Sequence, residues 1–390
     1  MLTHSYYEED PRVRREAESL VGAGRPVDVF ALRRDGDPVE SMVAGVRVRH
    51  LDVQRHQGAS LAVYLAEYGE FFLRAGLAVA RAHRGRCYGL VQVHTLPDFL
   101  AFAVLPLRLA GVPVLLDLHE AMPEFFRSRF PGASNPLTYR LLLLQERLSI
   151  AAATHAITVN DELARRLVRL GAPGGKVGVV INSPSIRRFD PSRHPLRRFA
   201  EDGTVRLVYA GALTPTYEVD VAIEAVARLR DRRPDLRVAL AVYGRGDSEP
   251  VLRAAVDRLG LPDRVTFQGR IPLEDVPAAI ARADIGLAPT RRDPFTDSSL
   301  STKVFEYAAM GKPVVASDLP LVERTFGPGT VQTYPAGRAA ELAAAVEALV
   351  DDPAARAAAV ERTAGTVREL AWEREAERYV ALVDRLAGTG

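Results

Sequence analysis

Cysteine is nearly missing from this chain of 390 residues: Cys87 stands alone. An internal disulfide and a cysteine-based metal site are therefore excluded, and the usage fits a reducing compartment such as the cytoplasm. Long apolar runs are missing as well; none reaches the ~18 residues that a membrane span needs. Met1 to Tyr7 lacks a basic segment followed by a long apolar one, so no signal peptide is expected. Lysine is scarce, which speaks of codon bias more than of function. Dense Lys/Arg blocks with interleaved aromatics do not occur, so nucleic acid is not an expected partner.

What is present is an ordinary soluble composition, 47% hydrophobic and 26% charged, at a length for which two domains are the natural prior. The net charge of +2 is unevenly spread: residues 1–199 carry 27 Lys and Arg against 20 Asp and Glu, and residues 200–390 carry 24 against 29. A basic half points to something anionic, either a phosphate-bearing substrate or an anionic membrane surface met peripherally from the cytoplasmic side.

Short β-branched runs alternate with helix-period segments. VDVFAL (from Val27), VRVRHL (Val46), GLVQVH (Gly89), VPVLLDL (Val112), AITV (Ala156) and VGVVI (Val177) read as strands in the first half. VRLVYA (Val205), VALAVY (Val238), RVTFQ (Arg264), DIGLA (Asp284), PVVA (Pro313) and TVQT (Thr330) read so in the second. Helical segments lie between them, among them Ser60 to His83 and Asp98 to Ala110. Strand–helix alternation repeated twice predicts an α/β protein of two Rossmann-like, doubly wound parallel-sheet domains. We place these at residues 1–188 and 200–370, with a proline-bearing linker, Pro184 to Gly203, between them. Arg362 to Leu386 reads as one tail helix, whose end, about 371–388, is expected to pack back on the first domain. Met1 to His4 looks like the end of a strand.

In such sheets ligands bind beyond the carboxyl ends of the strands. There lie HSYYEEDPRVRREA (from His4), DLHEAMPE (Asp117), VGVVINSP (Val177), YAGAL (Tyr209), YGRG (Tyr243), VTFQGR (Val265) and FEYAAMGKPVVA (Phe305). In order and spacing these resemble the retaining glycosyltransferases of family four, with the GT-B fold, over nearly the whole chain. The resemblance implies two domains facing a central cleft. It implies transfer of a sugar from a nucleotide diphosphate sugar to an acceptor hydroxyl, with retention and without a metal or other cofactor. The acceptor it implies is a glycan, a lipid-linked glycan or a small molecule, in cell-surface glycan, glycolipid or secondary-metabolite synthesis.

Residue by residue, the resemblance gives Glu306 the ribose hydroxyls, a task suited to an acceptor-only carboxylate facing a diol. Lys303 is more informative on physical grounds. In the first turn of a helix a cation is disfavoured by ~0.3–1 kcal/mol, and a docked anion reverses that sign. A phosphate contact at Lys303 then competes with a plain i,i+3 pair with Glu306. Two departures stand out. The family's first glutamate, on the donor sugar, is replaced by Ser298 with Asp297 beside it; Ser299 and Leu300 follow as further donor contacts. The family's Arg and Lys diphosphate clamp, after Gly211, is replaced by Ala212 and Tyr217. Candidates for the missing charge are Lys303, Arg292, Arg245 and Arg12, while Tyr217 offers a hydrogen bond without charge.

His119 is expected at the donor sugar and reaction centre, with Glu120 orienting it or binding acceptor. His94, Tyr7 and Arg12 are expected to line the cleft, and Asp117 to pin a loop. The base is expected near Arg270 and Ile271 through backbone contacts, with UDP more frequent in the family than GDP. MPEFFRSRFP, from Met122, mixes Phe with Arg and is a candidate membrane-docking segment. Two alternatives stay open: a catalytically degenerate partner subunit, favoured by the missing clamp, and a nucleotide-sugar epimerase.

Overall fold

The computed structural model describes residues 1–54 and 60–388. The chain divides into two compact units, Met1–Asn182 with Glu373–Gly390, and Ser183–Trp372.

Unit 1 carries strands β1 (Asp28–Leu32), β2 (Glu40–Val43), β3 (Val46–Leu51), β4 (Val91–His94), β5 (Val114–Leu118), β6 (His155–Thr158) and β7 (Val177–Val179). Its helices are α1 (Pro11–Gly22), α2 (Leu61–Arg86), α3 (Leu105–Leu109), α4 (Met122–Arg129), α5 (Pro136–Ala152) and α6 (Asp161–Arg169). The sheet runs β2-β3-β1 on one side and β4-β5-β6-β7 on the other. Leu2, fully buried, joins the halves by bridging in parallel to Phe30 and Val93. The strand-like start of the chain is thus the middle of the sheet. β5 is buried along its whole length, as a strand covered on both faces must be, yet it contains Asp117. β2 was not among the expected strands. It is a polar, half-exposed edge that pairs antiparallel with β3 and shows no apolar run.

Unit 2 carries β8 (Thr204–Ala210), β9 (Arg237–Tyr243), β10 (Val265–Gly269), β11 (Ile285–Ala288), β12 (Val314–Ser317) and β13 (Gln332–Tyr334). Its helices are α7 (Val219–Arg232), α8 (Glu249–Arg258), α9 (Val276–Ala281), α10 (Thr302–Ala309), α11 (Pro320–Phe326), α12 (Ala339–Asp351) and α13 (Pro353–Glu369). All six strands are parallel, in the order β10-β9-β8-β11-β12-β13. The winding reverses between β8 and β11, so the loops after these strands flank the switch point, where such sheets hold ligands.

Three expectations are corrected. The Pro184–Gly203 segment belongs to unit 2, because Arg197 pairs with the buried Asp284 at 3.2 Å and Phe189 enters the core there. The tail is two helices, α13 and then α14 (Trp372–Ala387), broken at Leu370 and Ala371. Within unit 1, α14 is tied by Arg25 to Asp384 at 2.8 Å. The Asp98–Ala110 segment begins as a 3-10 turn over Asp98–Val104 and becomes α-helical only at α3.

Candidate functional site

The two units each gather expected residues at the carboxyl ends of their strands. In unit 1 the parallel register sets His94 of β4 beside Asp117 of β5, and His119 lies two residues further along. Asp117 Oδ2 accepts from His94 Nδ1 at 3.0 Å and from His119 Nε2 at 2.8 Å. Arg12, on α1, grips the same carboxylate from the other side, with Nε at 2.9 Å and Nη2 at 2.7 Å, and its Nη1 donates to Val180 O at 3.0 Å. Asp10 caps α1 by accepting from Arg12 N and Val13 N, which fixes the angle at which Arg12 enters.

These contacts push the two histidines apart. Burial lowers the His94 imidazole below its ordinary value, against the pull of Asp117, so it is neutral. Burial also opposes charge on His119, but the Asp117 carboxylate outweighs it and raises that imidazole above its ordinary value. Asp117 itself is held well below the carboxylate range despite burial, chiefly by Arg12 and then His119. With both Nδ1 of His94 and Nε2 of His119 donating to Asp117, the Nδ1 of His119 is not used in this contact. The His119 side chain is 17% exposed, whereas His94 and Asp117 are fully buried.

His94 therefore lies beneath His119 instead of lining a cleft. Tyr7, expected on the acceptor side, is fully buried at the turn before α1. Arg12 is buried as well, and its three hydrogen bonds make it the pin of Asp117 and not a cation for phosphate. Glu120 is half-buried, and burial raises its carboxyl. Sequence reading missed three partners of this cluster. Glu16 lies 3.1 Å from Arg12, one helical turn on, and burial, then Asp117, push it up to about 8. Gln92 donates to Glu16 at 2.6 Å and accepts from Tyr379 of α14. The Arg12–Glu16 i,i+4 spacing was the one available signal.

His94, Asp117 and His119 also place three ligand-type atoms within 4.8 Å of one another. The Arg12 guanidinium balances the charge of Asp117, while the buried Nε2 of His94 makes no hydrogen bond among the described residues.

In unit 2, α10 is docked on the end of β8 by Ala210 N, which donates to Tyr307 Oη at 2.9 Å. One turn earlier, Lys303 reaches over the loop that follows β8. Its Nζ lies 3.5 Å from the centroid of the Tyr217 ring and 5.4 Å from that of Tyr209. Lys303 is only 7% exposed, and among the described residues no carboxylate lies within ion-pair distance of its Nζ. The plain i,i+3 pair with Glu306 is therefore not formed. Burial lowers the ammonium to about 8, against a smaller upward pull from Glu306.

The loop is shaped for this approach. A Cβ at Gly211 would stand 2.2 Å from Lys303 Cε, and one at Gly244 would stand 1.8 Å from Gly211 O. Glycine at both positions lets the side chain and the next loop close on the end of β8. Arg291 N donates to Thr216 O at 2.9 Å, which stitches the loops of the switch point together. The ammonium thus sits over Tyr217, where the resembling family carries its own cation.

The other expected donor residues are more loosely placed. Arg292 pairs with Asp297 at 3.2 Å and Asp318 at 3.7 Å, so its charge is already matched. Ser298 closes a 3-10 turn, its Oγ donating to Phe295 O at 3.0 Å. Ser299 and Leu300 lead, half-buried, into α10; no side chain caps that helix. Arg245 and Arg270 are exposed after β9 and β10, and Ile271 is half-buried beside Arg270. Glu306 is half-buried on α10, one turn beyond Lys303.

Comparison with known proteins gives the family and the fold. Residues 204–352 match the family described as glycosyl transferases group 1, and residues 10–183 match the glycosyl transferase 4-like domain. A D-inositol 3-phosphate glycosyltransferase of Pseudarthrobacter chlorophenolicus is 27% identical, covering 96% of this chain and 90% of its own. The α-D-kanosaminyltransferase of Streptomyces kanamyceticus is 27% identical over 66% of each chain. Among solved structures, sucrose-phosphate synthase from Thermosynechococcus elongatus superposes with a TM-score of 0.81 at 20% identity, covering 100% of this chain and 98% of that one. Anabaena HepE in complex with UDP and glucose superposes with a TM-score of 0.71 at 16% identity, covering 98% of both.

Proposed function

The chain belongs to the family-four-like glycosyltransferases of the GT-B fold, and from that premise we propose that it is a retaining enzyme using a nucleoside diphosphate sugar, UDP-linked before GDP-linked. The observation that carries this reading is the Lys303 ammonium, unpaired among the described residues and seated at the switch point one turn from Glu306.

Phosphate binding answers the energetic question that Lys303 poses. A cation in the first turn of α10, buried and with no carboxylate at ion-pair distance among the described residues, is costly until an anion arrives. A diphosphate supplies that anion, and the uncapped N–H groups of α10 add donors. Glu306, on the same face, accepts from the ribose diol. Charge that builds on the departing diphosphate is then met by Lys303, a contribution on the order of 2.7–4 kcal/mol for one well-placed donor.

His119 plays the part at the donor sugar that the family resemblance gives it. Its Nε2 proton is spent on Asp117, so a raised imidazolium offers its Nδ1 proton to a sugar hydroxyl. No carboxylate pair of the glycosidase kind is required. The leaving phosphate oxygen takes the acceptor's proton as the acceptor attacks from the same face, and no metal enters. The acceptor is a hydroxyl on a glycan, a lipid-linked glycan or a small molecule.

Calorimetric titration with UDP and GDP tests the reading. Saturable binding of one nucleotide, with slow hydrolysis of the matching sugar donor, is expected. Heat from neither nucleotide at millimolar concentration refutes it.

A further inference from the structure

Most of the large apolar side chains left exposed among the described residues belong to three helices of unit 1. On α5, Leu137, Leu141, Leu144 and Leu148 are each 50–66% exposed. Their spacing of four, three and four residues draws one straight stripe along the helix. On α2, Leu73 and Leu77 form a second short stripe, bounded towards the helix start by the exposed Glu70. Leu109, at the end of α3, is 80% exposed.

These stripes share one face of the unit. The crossovers β3 to β4, β4 to β5 and β5 to β6 all step in the same direction along the sheet. Right-handed crossovers then put α2, α3 and α5 on the same side. The packing agrees, since α2, α3 and α5 all lie against the Asp98–Val104 turn. A single exposed leucine needs no explanation, but leucine stripes on helices that share one face and pack on one turn are the composition of a contact surface.

The exposed charges on these helices are predominantly positive. Exposed cations on these helices include Arg74, Arg81 and Arg84 on α2 and Arg140 and Arg147 on α5. Arg140 and Arg147 border the leucine stripe along one flank. The only exposed carboxylate on the three helices is Glu70, which Arg74 pairs at 2.8 Å. Glu146, the sole acid of α5, is buried against Arg166 at 2.9 Å. The segment singled out in the sequence behaves differently: Phe126 is buried on α4, with its ring tilted against that of Phe130 at 5.3 Å between centroids.

We propose that the outer face of α2, α3 and α5 docks on an anionic lipid bilayer. Leucines enter the boundary between headgroups and acyl chains while the arginines meet lipid phosphates. Charge decides against a second copy of the chain. The leucine spacing on α5 suits a coiled-coil seam, but pairing the same face would bring arginine flanks together with no carboxylate opposite. The proposal is independent of the nucleotide site, so each can fail without the other.

The test is flotation of the full chain with vesicles of phosphatidylcholine alone or mixed with phosphatidylglycerol. Binding to the mixed vesicles that weakens with salt is expected. Leu141→Gln/Leu144→Gln/Leu148→Gln should cut the bound fraction by about tenfold or more. Arg140→Ala/Arg147→Ala should remove the preference for the anionic vesicles. Both variants change exposed side chains and should unfold at the wild-type temperature, which separates lost docking from lost fold. Absence of wild-type flotation overturns the proposal, as does flotation indifferent to the leucine triple. Concentration-dependent dimers in sedimentation velocity, lost in the triple and unaccompanied by vesicle binding, assign the face to self-association instead.

Discussion

Lys303→Met should make the protein more stable and less active. In the folded chain burial lowers the ammonium from 10.5 to about 8. At about 1.36 kcal/mol per pH unit, holding that charge in the fold costs roughly 3 kcal/mol. The Tyr217 ring, 3.5 Å from Nζ, returns ~0.5–2 kcal/mol of this as a cation–π contact. Methionine fills the same volume and keeps a thioether–aromatic contact of ~0.3–1.5 kcal/mol. The variant should therefore gain ~1–3 kcal/mol at pH 7. For a unit of this size that is a rise of about 2–4 °C per kcal/mol in the unfolding temperature. The sign can be followed with pH. Below about 8 the lysine is protonated in both folded and unfolded chains, and the full penalty is present. Between about 8 and 10.5 only the unfolded chain still holds the proton, so wild-type stability rises and the gap between the proteins closes. Calorimetric unfolding at neutral pH and near pH 10 measures both limits. Donor turnover should fall by ~10²–10³ in the same variant. A variant that is less stable at pH 7, or one that turns over donor at the wild-type rate, refutes the reasoning.

Tyr217→Leu should move the alkaline limb of donor turnover down by roughly half to one and a half pH units, because the charged lysine loses its ring; Tyr217→Phe should leave it in place. Glu306→Ala should weaken nucleotide binding by ~1–3 kcal/mol in calorimetric titration, and wild-type affinity there would exclude a ribose contact. Arg12→Met should destabilise unit 1 by ~3–5 kcal/mol in denaturant, since it strands the buried Asp117. An unchanged midpoint would show that His94 and His119 alone satisfy that carboxylate.

The strands of both sheets were legible because β-branched runs bounded by turn residues leave a local mark. β2 leaves none: ESMV is short, polar and held only by its partner β3. The break between α13 and α14 was hidden because Arg362 to Leu386 contains no proline or strong turn signal at Leu370–Ala371, and only the packing of Trp372 and Tyr379 separates the helices. In the candidate site, Lys303 and Glu306 could be read together because helical spacing puts them on one face. The Asp117 cluster could not. Arg12, Glu16, Gln92, His94 and Tyr379 come from three elements and from opposite ends of the chain, and nothing local connects them. The leucine stripe of α5 misleads in another way: four leucines at heptad spacing read as a core face, and only topology shows that the side towards the sheet is taken by Glu146, Ser149 and Ile150.

The two departures at Ala212 and Tyr217 have a common physical cause in Lys303. A lysine or arginine at position 217 would bring a second cation to within about 4 Å of the buried ammonium, a repulsion on the order of 4 kcal/mol for a pair near the protein surface. An aromatic ring there does the opposite and attracts the charge, while Ala212 leaves only a carbonyl, which accepts from the Tyr209 hydroxyl at 2.6 Å. Gly211 completes the arrangement, since any side chain at that point collides with the lysine stem. Cation, ring and glycine thus form one arrangement, with the charge carried on α10 and none at positions 212 and 217 of the loop after β8. Its consequence is chemical as well as geometric. A loop cation with free donors stays charged across the physiological range, whereas burial lowers this ammonium to about 8, and an anion docked beside it would raise it again.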